Sequence, residues 1–273
     1  MKKITIVLMC FLLTAGAAMA QNEYNEENLE ISTEYTVNGV SFKMILVEGG
    51  TYTMGSPEEG DQLLQVGSIV FIINEKDRED RPSHNVTVSS FYIGQTEVTQ
   101  ELWEAVMGKN PSFSKGAKRP VDQVSWNDCQ KFIKKLNNLT GKNFRLPTEE
   151  EWEYAARGGK KSQNYQYAGS NNADDVAWHQ FNCNFNDESS SDFGTHPVAT
   201  KLANELGIFD MSGNVSEWCQ NKWYKYNGGK CNSSYRTYRG GNFGVIDKGC
   251  RVWDRPNQST RYRTSGVGLR LAL

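Results

Sequence analysis

Six cysteines and three histidines carry most of the reactive chemistry in this 273-residue sequence. Thiolates and imidazoles hold a metal or attack an electrophile only where spacing and fold bring them together. No two cysteines are spaced C-x-x-C, which leaves a zinc ribbon and a thioredoxin-type redox pair without support. His179, Cys183 and His196 fall in a stretch of Asn, Asp and Ser that supplies no fixed ligand geometry, so they read as ordinary loop residues. A third group lies in residues 242–265, where Asn242, Phe243, Ile246, Trp253 and Tyr262 are interleaved with Arg on Gly- and Ser-containing segments. Rings and guanidinium groups in that setting give contact area and bidentate hydrogen bonds, the composition of a recognition surface; a loop packed on its own domain has the same composition.

Overall composition narrows the function classes. With 38% hydrophobic and 23% charged residues the chain is globular. A net charge of -2 and no Lys/Arg run leave nothing to bind nucleic-acid phosphates. Residues 1–20 have basic Lys2 and Lys3, an apolar run from Ile4 to Leu13 and small Ala18 and Ala20, the pattern of a cleaved secretory signal; the run is too short to span a bilayer. Cleavage after Ala20 removes Cys10 and leaves Cys129, Cys183, Cys219, Cys231 and Cys250, with no transmembrane segment. The expectation is an exported protein of the periplasm, cell surface or secreted space, where disulfides are permitted.

The elements that must position these residues are marked by their ends. Residues 21–38 are polar and acidic and read as a flexible arm, ahead of one domain over 39–273. Phe42 to Val47 and Thr51 to Met54 flank Glu48-Gly49-Gly50, which predicts a hairpin. The apolar run inside the acidic stretch 56–82 has no period, and its conformation stays open. Residues 85–93 alternate as one half-buried strand. Thr99, then Ser125 with Asp128, then Thr148 with Glu151 predict three helix starts, with stops at Gly108, Gly141 and Gly158-Gly159. From residue 160 onward, Gly, Asn, Ser, Tyr and Trp dominate, which predicts long loops held by short strands.

Several phrases then occur in one order: Met44-Ile45-Leu46-Val47-Glu48-Gly49-Gly50, Phe91-Tyr92-Ile93, Glu97-Val98-Thr99, and Val124-Ser125-Trp126. They continue as Arg145-Leu146-Pro147-Thr148-Glu149-Glu150-Glu151-Trp152-Glu153-Tyr154-Ala155-Ala156-Arg157-Gly158, then Gly207-Ile208-Phe209-Asp210-Met211-Ser212-Gly213-Asn214-Val215-Ser216-Glu217-Trp218, with Arg239-Gly240-Gly241 and Gly268-Leu269-Arg270 at the end. Over nearly all of the mature chain this resembles the formylglycine-generating enzyme (sulfatase-modifying factor) family. The resemblance implies an α+β, irregular C-type-lectin-like fold of low regular secondary structure, with bound calcium. Active members oxidise a sulfatase cysteine to formylglycine with O2 and a copper ion on two cysteines, a soft-metal site that one thiolate cannot make.

Carried over position by position, the second copper cysteine is Cys250, but the first is Val245. The neighbouring family positions also differ, at Ser216, Asn242, Ile246 and Gly249. Cys250 is the catalytic residue only if the chain is an active enzyme; otherwise a disulfide with Cys219 is the expectation. One calcium site maps onto Asp210, Gly213, Val215 and Glu217, two carboxylates and two carbonyls, for which Asx turns are the competing account. The other begins at Asp175 and Val176. The resemblance therefore implies an exported, non-catalytic binding or accessory module of the cell envelope with a protein or glycan ligand. The alternative is an active copper oxidase whose partner is a sulfatase.

Overall fold

The helices begin and end at their cap residues. Thr99 accepts the Leu102 N–H ahead of α1 (Gln100–Met107), and Gly108, at φ 77°, closes it on the Glu104 carbonyl. Reciprocal capping boxes start α2 (Trp126–Thr140) at Ser125 and Asp128, and α3 (Glu149–Ala156) at Thr148 and Glu151. The spacing of Cys129, Phe132, Ile133 and Leu136 puts all four on the buried face of α2. A single turn, α4 (Ala173–Val176), is capped by Asn172. The computed structural model describes residues 31–57, 62–66, 69–73, 80–185, 187, 189–190, 192–226 and 234–273. The signal segment and Cys231 lie outside these residues.

Among the described residues, four small sheets accompany the helices. β1 (Ser32–Val37), β2 (Val40–Val47) and β7 (Phe91–Gly94) form an antiparallel sheet in the order β1-β2-β7. β3 (Gly50–Met54) pairs with β6 (His84–Val88), and β4 (Gln62–Val66) with β5 (Ile69–Ile73). The fourth sheet runs β10-β9-β8-β11, from β8 (Ser216–Lys222), β9 (Tyr235–Arg239), β10 (Asn257–Ser259) and β11 (Val267–Gly268), with the β8–β11 pair parallel. Helices and short strands joined by long loops make an irregular α+β fold.

Three expectations about strands are corrected. Part of the predicted arm is β1, which pairs along its whole length with β2, so the fold begins before residue 39. β2 and β3 do not pair with each other: β2 pairs with β7 and β3 with β6, so the two segments form one kinked ladder. Close approach at the kink is the reason. A Cβ on Gly49 would lie 2.5 Å from the Val88 carbonyl oxygen, and Ser90 Oγ accepts the Gly49 N–H. The predicted single strand over 85–93 accordingly breaks between Val88 and Phe91. The open stretch 56–82 contains the β4–β5 hairpin.

Among the described residues two large apolar clusters fill the interior, and a third, smaller one surrounds Cys250. The first packs α1 and α2 against β1, β2 and Trp218, with Trp103 stacked on Phe132 at 4.8 Å. The second gathers Ile45, Val47, Ile93, Trp152, Cys219 and Trp253 around α3. Among the described residues no helix is long and apolar enough to cross a membrane.

Candidate functional site

Behind β9, Gly240 and Gly241 take positive φ and turn the chain back on itself. A Cβ on Gly241 would lie 2.4 Å from the Gly249 carbonyl oxygen and 2.8 Å from Cys250 Sγ, so only glycine fits there. The returning segment ends in a 3-10 turn (Asp247–Cys250) and buries Cys250 completely, among Tyr167, Ala173, Val176 and Ala177. The Val245 side chain packs on this cluster, so the position that the resemblance assigns to the first copper cysteine carries an isopropyl group. Burial pushes the Cys250 thiol well up, and the carboxylates of Asp254 and Asp247 add to it, which keeps the sulfur protonated.

The other substituted positions are also closed by local bonds. Asn242 donates from Nδ2 to Ser216 Oγ at 3.2 Å and accepts the Gly244 N–H, while a Cβ on Gly266 would collide with the Asn242 amide. Phe185 and Phe193 pack on Phe243, with ring centres 6.1 and 5.9 Å away, and Cys183 donates its S–H to the Phe243 carbonyl. Cys183, Phe185 and Phe193 thus lie against Phe243. The expected Cys219–Cys250 disulfide is absent: Cys129, Cys183, Cys219 and Cys250 are all free, buried thiols. Cys219 belongs to the cluster around Trp152 and Cys250 to the separate one around α4, so the fold keeps them in different packing environments.

The calcium set is brought together in part. Asp210 is buried at φ 59°, and one of its oxygens accepts the Ala199 N–H at 2.7 Å. Burial pushes its carboxyl up to about 6. Glu217 receives Arg270 Nε on both oxygens at 3.0 and 2.9 Å, Arg270 Nη2 at 2.7 Å, and Trp152 Nε1 at 2.6 Å. Glu97, a third buried carboxyl, accepts the Val215 N–H and the Asn214 amide; desolvation pushes it well up, with help from Asp210 and Glu217. A calcium ion needs free oxygen lone pairs. The residues do not fit one, because the Glu217 carboxylate already holds a guanidinium and an indole N–H. Asp175 likewise accepts from Ser170 and Asn172 in a turn, and Val176 is buried in the Cys250 cluster. Among the described residues no group of three or more His, Cys, Asp or Glu is placed to hold a metal ion. His179 bonds Asp174 and His196 stacks on Trp178 at 3.7 Å, as ordinary structural residues do.

The expected ligand surface is less open than its composition implies. Phe243 and Trp253 are each 4% exposed. Trp253 lies under Arg157 and Arg251, and Tyr262 packs on the α1–α2 cluster. Asn242 and Ile246 are half-buried. Sequence reasoning missed the buried charge frame beneath. Arg239 pairs with Glu153, and Arg255 holds Glu149 at 2.6 and 2.8 Å. Glu153 also accepts the Gly55 N–H and the Arg157 guanidinium. The signal was the charge inside the apolar motif phrases, at Glu149, Glu153, Arg157, Glu217, Arg239 and Arg270.

Comparison with known proteins places this architecture. The chain is 38% identical over 216 residues to the chaperone protein LppX of Paenibacillus barcinonensis, covering 64% of this chain and 76% of that protein. It is 29% identical over 182 residues to the inactive C-alpha-formylglycine-generating enzyme 2 of Bos taurus, covering 64% of this chain and 57% of the relative, little more than half its length. Among solved structures, Treponema denticola variable protein 1 superimposes with a TM-score of 0.70 at 30% identity, over 89% of this chain and 98% of that one. The model of the sulfatase-modifying factor enzyme 1-like domain matches residues 34–273, and the chain belongs to that family.

Proposed function

We propose that this domain is an exported, non-catalytic binding or accessory module of the cell envelope. The observation that carries the reading is Val245 packed on the cluster that buries Cys250: one protonated thiol shares that cluster with an isopropyl group where copper needs two thiolates. The covering rings of Phe185 and Phe193 on Phe243 support the same reading. So do two relatives by name, one an inactive formylglycine-generating enzyme and one a chaperone protein, which fits an accessory role. Export rests on the sequence of residues 1–20.

The test is direct. The mature protein is incubated with Cu(I), O2 and a sulfatase-type cysteine peptide, and the peptide is followed by mass spectrometry. No aldehyde product is expected from folded, copper-supplied protein, and clear turnover would overturn the reading.

A further inference from the structure

On the face built by β3, the end of α3 and the 157–171 loop lies a cleft of about 810 Å³, within the span of ligand sites. Gly50, Thr51, Tyr52 and Thr53, consecutive residues of β3, all border it, and no residue of β6 does. Successive side chains of a strand point to opposite faces, so a run of neighbours shares one space only along the strand's edge. The cleft therefore follows the edge of β3 that faces away from β6. The Val245–Cys250 segment contributes no residue to its lining.

That edge is unpaired among the described residues. β3 belongs to a two-stranded sheet with β6 as its partner. Beyond that ladder, no main-chain N–H or carbonyl from Gly50 to Met54 is bonded to another strand or loop. The remaining bonds of these residues come from side chains: Tyr52 donates its hydroxyl to the Glu150 carbonyl, and Thr51 and Thr53 bond Thr87 and Asn85 on β6. Every second residue of a strand turns its N–H and C=O to a given edge, so β3 offers the cleft a row of alternating donors and acceptors. Proteins ordinarily blunt such an edge with Lys, Pro or a covering element. The strand Gly50–Met54 has no charge and no proline, and Thr51 and Thr53 are exposed.

The rest of the lining fits a main-chain partner. The 157–171 loop contributes the hydroxyl and amide side chains of Ser162, Asn164, Gln166 and Asn171. Arg157 and Lys160 are paired with Glu153 and Glu48, so the lining calls for no charged ligand. It contains no Leu, Ile, Val or Met to anchor an apolar side chain.

We infer that this cleft takes an extended, uncharged segment of another polypeptide as a third strand, hydrogen-bonded through its main chain to the free edge of β3. Strand addition draws its affinity from main-chain bonds, and side-chain pockets supply specificity. A lining without aliphatic pockets therefore selects for extended conformation more than for sequence. The edge lies inside a cleft walled by the 157–171 loop, a setting for one extended chain rather than for the sheet edge of a second folded copy. The inference rests on the binding-module reading and gives that module a partner class; of residues 242–265, Trp253 alone lines the cleft.

The test titrates the mature chain with a terminally blocked, neutral heptapeptide of Thr, Val and Gln, and follows amide hydrogen exchange residue by residue by NMR. Without peptide, alternate amides of residues 50–54 should exchange fast and those bonded to β6 slowly. At saturation the fast ones are expected to slow by at least about tenfold. The same peptide N-methylated at every residue has no N–H to donate and is expected to bind at least about tenfold more weakly. Ser162→Trp, which fills the cleft from the loop, is expected to abolish binding at unchanged melting temperature. No saturable binding, equal binding of the methylated peptide, or β3 amides unchanged at saturation would overturn the inference. Edge amides that are already slow, and quicken when residues 21–30 are deleted or the protein is diluted, would overturn it too, by making the chain's own arm or a second copy the occupant. Aldehyde turnover is a separate readout, and it alone would sink the non-catalytic reading.

Discussion

Arg270 is a fully buried side chain on which several elements depend, and its replacement by Met is the most informative stability experiment. The guanidinium makes three contacts with Glu217 and donates to the carbonyls of Gly94 and Phe209, both at 2.8 Å. Methionine fills much of the volume but leaves Glu217 buried beside Asp210 and Glu97, with no cation among them. Removing one partner of a buried pair costs about 3–5 kcal/mol. Each orphaned carbonyl adds roughly 1 kcal/mol or more, so Arg270→Met is expected to lose about 5 kcal/mol, a large part of an ordinary domain's 5–15 kcal/mol. Urea denaturation followed by tryptophan fluorescence reads this as a lower midpoint at unchanged slope. In the double variant Arg270→Met with Glu217→Gln the uncompensated charge is gone while the Gln oxygen still accepts from Trp152. It should be more stable than Arg270→Met alone, a coupling of about 2 kcal/mol or more. A loss below about 2 kcal/mol in the single variant, or strict additivity in the double, would refute the account of Glu217 as a carboxylate committed to Arg270.

Other outcomes follow from the same geometry. Because Glu217 is taken, calcium or EDTA should leave the melting temperature of the wild-type chain unchanged within about 1 °C; a calcium-dependent rise of several degrees would restore the ion to the Asp210–Glu217 loop. Asp122 is buried with Oδ2 unpaired, and burial pushes its carboxyl from 3.8 to about 7. A raised acid favours the fold when protonated, so its contribution is present below pH 3.8 and lost as pH rises through about 7, on the order of 4 kcal/mol at most. Asp122→Asn should therefore flatten the fall in stability between those pH values, measured by urea midpoints; an unchanged slope would contradict it. Val245→Cys places a second thiol on the Cys250 cluster and is expected to gain Cu(I) binding in a chelator competition without aldehyde formation, since Ser216, Asn242, Ile246 and Gly249 still differ. Expressed with residues 1–20 in a secreting host, the chain is expected to be recovered outside the cytoplasm with Gln21 as its first residue by N-terminal sequencing.

What the sequence made legible was local. Helix starts were readable because a cap and its N3 partner sit on the same turn, as Ser125 with Asp128 and Thr148 with Glu151 do. Strand existence was readable from β-favouring residues, but strand partners were not. The Gly49-Gly50 pair marks a turn equally well for a hairpin and for a kink, and only contact with Val88 and Ser90, distant in sequence, decides between them. β1 was missed because its Ser, Thr and Glu residues match a solvated arm in composition; its stability comes from pairing with β2 and from Tyr35 packed on Phe42 and Phe144. The recognition-surface expectation failed in part for a related reason. Composition cannot tell an aromatic that faces solvent from one that a neighbouring loop covers, and Phe185 and Phe193 cover Phe243.

The site's chemistry divides along the same line. A missing thiol at position 245 is a statement about residue identity, so the sequence carried it in full, and the structure adds what took its place. Glu217 as a calcium ligand is instead a statement about which cation stands nearest, and Arg270 lies 53 residues away in the chain. A buried carboxylate must be neutralised by a proton, by an ion from solvent or by a guanidinium of the chain: Glu97 and Asp210 are pushed up toward the first, and Glu217 takes the last. In this protein the guanidinium reaches Glu217 because parallel pairing of β8 with β11 sets Val267 and Gly268 beside Ser216 and Glu217, and that pairing brings Arg270 within reach of the carboxylate. Removing the guanidinium should therefore be the condition under which calcium acquires an effect. If calcium restores stability to Arg270→Met and leaves the wild type untouched, the two cations are interchangeable solutions to one electrostatic problem; if it leaves both unchanged, the loop geometry at Asp210 excludes the ion independently of Arg270.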